Sequence, residues 1–305
     1  MHLKDLILPF QLEKSNLRGR VVRLSGVLDH ILTAHNYPKP VSHLVGESVT
    51  LSLALSSMLK FDGVFTLQTS GDGPISMLVA DVESPAQVRA CAKFNEERVA
   101  QARQQLQAMA VPETSQNHLA QYLGKGYLAF TVDPHGEAER YQGIVALEGA
   151  SLVDCVQDYF RQSEQIDTAF RMAVGHRGAR WQSAAIMLQK MPEEGGPLPL
   201  GNTDEDDWRR AMILMQSATE NELLDDQLSL EELLVRLFHE EGVRVFEPVT
   251  VAHACRCSLE KVQDVVTMLP EEDRAYVEKD GAIEMICEFC SKAYRLDPKT
   301  LEQIL

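Results

Sequence analysis

Apolar and polar positions change period several times along the chain. From 21 to 33 and from 41 to 60 apolar residues recur at helical spacing, and the breaker "NYPKP" (36–40) separates the two stretches. The second stretch, "VSHLVGESVTLSLALSSMLK", is the most apolar window of the chain. His43, Glu47 and several serines interrupt it, so it predicts a buried helix rather than a membrane span. Strand-like segments follow in "VFTLQT", "ISMLVADV", "YLAFTVDP" and "YQGIVALEG", divided by the turn signals "SGDGP", "GKG" and "DPHGE". Helical spacing returns near 96–109 and 151–163, and strand patterns at "TAFRMAV" and "QSAAIMLQKM". Hairpin-like turns predict a mixed or antiparallel sheet rather than a doubly wound one, and no internal repeat is visible. The class is α+β, opening with an N-terminal α/β domain.

After "MPEEGGPLPLGNTDEDD" the character changes. Gly195, Gly196, Pro197 and Pro199 break structure and an acidic run follows. Residues 206–241 then have helical spacing, with Ser229 and Glu232 placed as a capping box. Their acidity predicts a weakly anchored helical linker, and "VRVFEP" leads out of it. The expected organisation is an N-terminal α/β domain over 1–192, an acidic linker over 193–249, and a small C-terminal domain over 250–305. Charge sharpens this division. Residues 1–192 hold 18 Lys+Arg against 19 Asp+Glu, whereas 193–305 hold 11 against 26, nearly all of the chain's net charge of −16. An acidic third of this kind repels a phosphate backbone, so nucleic acid is not an expected partner.

The 305 residues are ordinary in bulk composition, at 45% hydrophobic and 24% charged. No secretory signal is visible, which points to a reducing, cytoplasmic compartment where close cysteine pairs mean metal or redox chemistry. The glycine turns match neither a P-loop nor a dinucleotide fingerprint; "GDGP" and "GKG" are expected as hairpin turns. "HEE" (239–241) lacks the second histidine of a zinc protease helix and is expected as a solvated helix end. No catalytic constellation stands out, and the chain reads as a non-enzyme.

The chemistry concentrates in "HACRCSLE" and "MICEFC". Cys255 and Cys257 form one cluster, Cys287 and Cys290 another, with 29 residues between Cys257 and Cys287. Zinc takes four soft ligands in a tetrahedron, and each short cluster can supply one edge of it. A one-residue gap suits extended chain, and a two-residue gap lets a tight turn aim two sulfurs at one ion. One structural Zn2+ per chain is the expectation, over an iron–sulfur cluster or unligated thiols. His253 could compete as a ligand, but four cysteines already saturate the metal, so an ordinary surface histidine is expected. Cys91 and Cys155 stand alone among apolar residues and are expected as core positions. Four protein ligands leave no place for a reacting water, which disfavours hydrolytic chemistry. Structural zinc is worth about 10–16 kcal/mol at neutral pH, against about 5–15 kcal/mol for the stability of a whole domain. The metal therefore decides whether 250–305 folds.

The spacing C-x-C, about thirty residues, C-x-x-C resembles that of the heat shock protein 33 family of redox-regulated bacterial chaperones. Further stretches are similar to the family pattern and keep its order: "NYPKPV", "LKFDG", "QTSGDGP", "GKGY", "RYQGIVALEG", "DYFRQSEQ" and "RLFHEE". The resemblance runs from about residue 20 to 297. It implies a cytoplasmic protein whose reduced form holds zinc on Cys255, Cys257, Cys287 and Cys290 and is inactive. Oxidation would pair Cys255 with Cys257 and Cys287 with Cys290, release the zinc and unfold the linker. Neither small disulfide joins the two halves of the C-terminal segment, so closure of the roughly 30-residue loop, worth about 3–4 kcal/mol, would be lost as well. The activated protein would hold unfolding clients without ATP and pass them to ATP-driven foldases of the heat shock protein 70 class. It would be a monomer when reduced and a homodimer when oxidised. Two rivals remain: a static zinc ribbon that binds a protein partner, and an enzyme in the N-terminal domain that uses the zinc domain as scaffold.

Overall fold

The computed structural model describes residues 5–108, 119–136, 139–190, 205–270, 278–279 and 282–297. The Gly/Pro-rich boundary at 191–204 lies outside them. By contacts the chain forms two compact units, Met1–His253 and Ala254–Leu305.

The first unit opens with β1 (Leu6–Leu12), β2 (Leu17–Leu24), α1 (Gly26–Thr33) and α2 (Lys39–Ser56). Three strands follow, β3 (Gly63–Gly71), β4 (Ile75–Glu83) and β5 (Gln87–Phe94), then α3 (Glu96–Ala108) and α4 (Leu119–Leu123). Next come β6 (Gly126–Pro134), β7 (Tyr141–Ala146) and α5 (Leu152–Tyr159), which a π-helical turn (Phe160–Glu164) extends, then β8 (Thr168–Arg177) and β9 (Arg180–Lys190). The unit ends with α6 (Glu205–Gln216), α7 (Glu220–Leu223), α8 (Leu230–Phe238) and the short strands β10 (Val243–Val245), β11 (Val249–Thr250) and β12 (Ala252–His253).

Two sheets organise these elements. One runs β10-β1-β2-β9-β8, with β11 also paired to β1; the other runs β12-β5-β4-β3-β6-β7. All pairings are antiparallel except β12 with β5, in keeping with the mixed or antiparallel expectation. The main core lies where α2 packs against both sheets. Along β1, β2, β8 and β9, Ile7, Val22, Phe170 and Met187 point into it. Helix α2 is buried almost all round, as its apolar window predicted. Its polar residues survive there by bonding back along the helix: Ser48, Thr50 and Ser52 hydroxyls donate to the carbonyls four residues earlier at 2.7–2.8 Å. Glu47 is buried in the same helix, with His43 Nδ1 3.5 Å from its carboxylate, and burial, then the charge of Asp154, pushes its pKa up to about 8.

The opposite face of the first sheet carries a second core. Leu8, Phe10, Leu17, Val21 and Ile186 meet Trp208 and Met215 of α6 and Leu233, Leu234 and Phe238 of α8. The segment expected as a weakly anchored linker is therefore seated on apolar contacts, and Phe238 stacks on Phe10 with centroids 6.1 Å apart. Each such fully buried side chain is worth about 1.5–3 kcal/mol, so surface acidity is a poor guide to its anchorage. The capping box of α8 is present: Ser229 Oγ accepts from Glu232 N at 3.2 Å and Glu232 Oε2 from Ser229 N at 3.0 Å.

Four local expectations change. Residues 21–24 belong to β2, and the helix begins only at Gly26. Both faces of β1 and β2 are buried, which removes the polar alternation by which a strand is recognised. Strands β1 and β5 are not among the expected segments. "GKG" joins α4 to β6 instead of closing a hairpin; Asp72 of the true hairpin turn "GDGP" accepts from Lys125 N at 2.7 Å and locks the two turns together. In "HEE", Glu241 is buried and receives Arg210 at 2.7 and 3.1 Å, while His239 and Glu240 are exposed.

Candidate metal centre

The second unit contains α9 (Leu259–Met268) and a three-stranded sheet, β13 (Glu278–Lys279), β14 (Ala282–Ile286) and β15 (Ala293–Leu296), in that order. Its apolar centre is small among the described residues: Val266, Ile283 and Leu296 are buried, with Val262 and Met285 against them. A core of that size cannot hold a domain by itself, so another fastener is needed.

Local backbone geometry aims the sulfurs. Cys255 and Cys257 lie on irregular chain just before α9, which Ser258 caps by accepting from Lys261 N at 3.2 Å. Cys287 and Cys290 sit on the turn joining β14 to β15. Cys287 N donates to Lys292 O at 3.0 Å and Ser291 N to Cys287 O at 2.9 Å. Ser291 takes the left-handed conformation at φ 56°, which folds the turn tightly enough to bring both thiols to the same side.

The four sulfur atoms all fall within 4.8 Å of one another. Cys255 Sγ is 3.7 Å from Cys287 Sγ, and Cys257 Sγ is 3.5 Å from Cys290 Sγ. A disulfide needs about 2.05 Å, and all four are free thiols. A tetrahedron with zinc–sulfur bonds of 2.3 Å has edges of about 3.8 Å. The donor set and its spacing thus fit a divalent metal, and the four cysteines singled out by the sequence are the ones brought together.

The electrostatics point the same way. Burial raises the pKa of Cys255, and burial with hydrogen bonding among the thiols pushes Cys290 up to about 12. Burial acts upward on Cys257 too, but the Tyr294 hydroxyl, donating from 3.1 Å, and the neighbouring thiols outweigh it and bring Cys257 down to about 7. Negative charge on sulfurs this close is self-repelling, and a bound dication would supply the charge that offsets it. Nothing in the residue pattern marks Tyr294, which looks like any inward residue of a strand; Lys292 Nζ lies 4.9 Å from the centre of its ring. His253 belongs to the first unit, half-buried with its ring centroid 4.5 Å from that of His30, so it is not the surface residue expected. Cys91 and Cys155 are buried as expected, and burial raises the Cys155 thiol.

Comparison with known proteins agrees with this geometry. The family model described as Hsp33 protein matches residues 5–297. The 33 kDa chaperonin of Caulobacter vibrioides (strain NA1000 / CB15N) is 38% identical over 302 residues, covering 97% of this chain and 96% of the relative. That of Photorhabdus laumondii is 35% identical over 308 residues, covering 100% and 97%. The crystal structure of the Thermotoga maritima 33 kDa chaperonin superposes with a TM-score of 0.77 at 19% identity, over 98% of this chain and 97% of that one, a likeness of fold. No helix among the described residues is long and apolar enough to cross a membrane. With a family model spanning nearly its whole length, this chain belongs to the Hsp33 family.

Proposed function

We propose that the chain is a redox-regulated, ATP-independent chaperone of the holding type, silent while its four C-terminal cysteines carry zinc and active once they are oxidised. The convergence of Cys255, Cys257, Cys287 and Cys290 to within 4.8 Å carries this reading. Its relatives, named as chaperonins, support it.

The chemistry balances with peroxide as oxidant. Two thiolates, one hydrogen peroxide and two protons give one disulfide and two waters; the sulfurs lose two electrons and the O–O bond is reduced. Two peroxides per chain convert Cys255–Cys257 and Cys287–Cys290 to two disulfides, leaving no thiolate for the metal. Two close sulfur contacts run across the clusters, from Cys255 to Cys287 at 3.7 Å and from Cys257 to Cys290 at 3.5 Å. Pairing across would keep the clip closed and pairing within each cluster opens it, so disulfide mapping bears directly on the switch.

In functional terms 1–192 is the client-binding core, 193–249 the redox-sensitive linker and 250–305 the switch. Opening of the switch loosens the linker and uncovers the apolar sheet face beneath α6 and α8, for which unfolding proteins and a second chain compete. Such a protein works in the cytoplasm and hands its clients to an ATP-driven foldase of the heat shock protein 70 class.

Reduced protein is expected to hold one zinc per chain. Peroxide at raised temperature should release it with loss of four titratable thiols, and only the oxidised sample should suppress light scattering by a heat-aggregating client. Zinc retained under those conditions, with equal scattering in both samples, would leave the static ribbon in its place.

A further inference from the structure

The segment from the end of α6 to the start of α8 is held by polar grips as well as by apolar contacts. It carries four acids, Glu220, Glu222, Asp225 and Asp226, beside Ala218, Leu223 and Leu224, which are buried in the second core. Arginines of the sheet grip its backbone. Arg171 Nε donates to Ala218 O at 2.8 Å, and Arg177 Nη2 to Asn221 O at 3.0 Å and to its side-chain oxygen at 2.9 Å. Arg23 donates through Nε to Leu223 O at 3.1 Å and through Nη1 to Leu228 O at 2.5 Å.

Strand alternation puts the three arginines on the face of the second core. Arg23 continues the row of Leu17 and Val21 on β2, and Arg171 and Arg177 continue that of Ala169 and Ala173 on β8. The acceptors are carbonyls at helix ends and in turns, which have no partner inside a helix. A grip on main-chain carbonyls tolerates changes in the acidic side chains above it. Those side chains add long-range attraction: burial lowers the pKa of Arg23, and the charges of Asp225, Asp226 and Glu231 work against that. Arg23 is only 5% exposed, and its remaining nitrogen, Nη2, has no hydrogen-bond partner among the described residues. A guanidinium in that position is satisfied by the docked segment and by little else.

We infer that Arg23, Arg171 and Arg177 form a clasp on the backbone of residues 218–228 that sets how readily α6–α8 leave the sheet. Their effect on activation rests on the holdase reading; their effect on docking does not. Loss of a charge-assisted bond of this kind shifts an opening equilibrium by roughly tenfold or more.

The test uses full-length, reduced, zinc-loaded protein carrying Arg171→Gln with Arg177→Gln, whose side chains reach the sheet's margin, and separately Arg23→Lys, which keeps the charge but loses the two-pronged reach. Hydrogen exchange of peptides from 205–241 should quicken at least about tenfold in both variants while β3, β4 and β6 keep their protection. On oxidation the variants should suppress client aggregation at a lower temperature than the unaltered chain. Unchanged exchange over 205–241 in the double variant overturns the clasp, as does equal quickening in β3, β4 and β6. Faster linker exchange with no client protection after oxidation supports the clasp and removes the holdase reading instead.

Discussion

Glu47 shows how one residue can set a pH dependence that the rest of the chain does not announce. Its carboxyl, sealed in α2, ionises near pH 8, whereas in the unfolded chain it ionises near 4.5. The folded state therefore keeps a proton that the unfolded state gives up. Stability from this group is complete below about pH 4.5 and is lost as pH rises through about 8. Glu47→Gln should be nearly neutral at pH 5 and stabilising by on the order of a few kcal/mol at pH 8.5. Thermal unfolding of both proteins across that range checks it, and parallel melting curves would refute it. The glutamate was visible in the sequence as a polar interruption of an apolar window, but its burial depends on two sheets closing around the helix. Glu241 is a similar case: its partner Arg210 is distant in sequence, and nothing in "HEE" betrays the pair. Ser229 and Glu232 were legible because a capping box is complete within four residues.

Among the elements, burial of both faces hid β1 and β2 but not α2, β8 or β9, which were legible although they too are buried on both sides. Strands β3, β4 and β6 alternate and were recognised. Strands β1 and β2 serve a core on each side, so their apolar residues run together and β2 blends into the helical spacing of α1. The same doubling hid the seat of α6 and α8. Phe238 sits at its centre, fully buried against Phe10. Phe238→Ala should cost about 3–5 kcal/mol, concentrated in the docking of α6–α8. Exchange of amides in 205–241 should quicken far more than that of β3 and β4, and equal losses would show that the two cores unfold as one. Gly19 belongs to this seat too: a Cβ there would come within 2.2 Å of the Phe10 ring, so the glycine lets that ring lie flat across its strand.

At the scale of the whole molecule, the candidate metal centre was the most legible feature and the sheet order the least. Four cysteines in two clusters carry their meaning locally, because each cluster needs only a strand step or a turn to aim its sulfurs. The first sheet is assembled from residues 6–24, 168–190 and 243–250, and no local pattern declares that such distant stretches pair. The two units also differ in what stabilises them. Among the described residues, 1–253 have two apolar cores, and 254–305 have a few buried residues beside four thiols. Chelation of the reduced protein should therefore melt the smaller unit alone, with loss of the Tyr294 environment in near-ultraviolet circular dichroism and retention of most far-ultraviolet signal. A metal-free sample with its C-terminal amides still protected would contradict this.

The strands β10 and β11 lie after α6, α7 and α8 and pair with β1, while β9 precedes those helices within the same sheet. Helices lifted from their seat would thus rise as a bight of chain moored at both ends, never as a free tail. A moored bight gains less disorder on leaving than a tail does and finds its seat again at high effective concentration. A guest on that face would have to outcompete a cover always within reach, and the surface would close again once the guest departed.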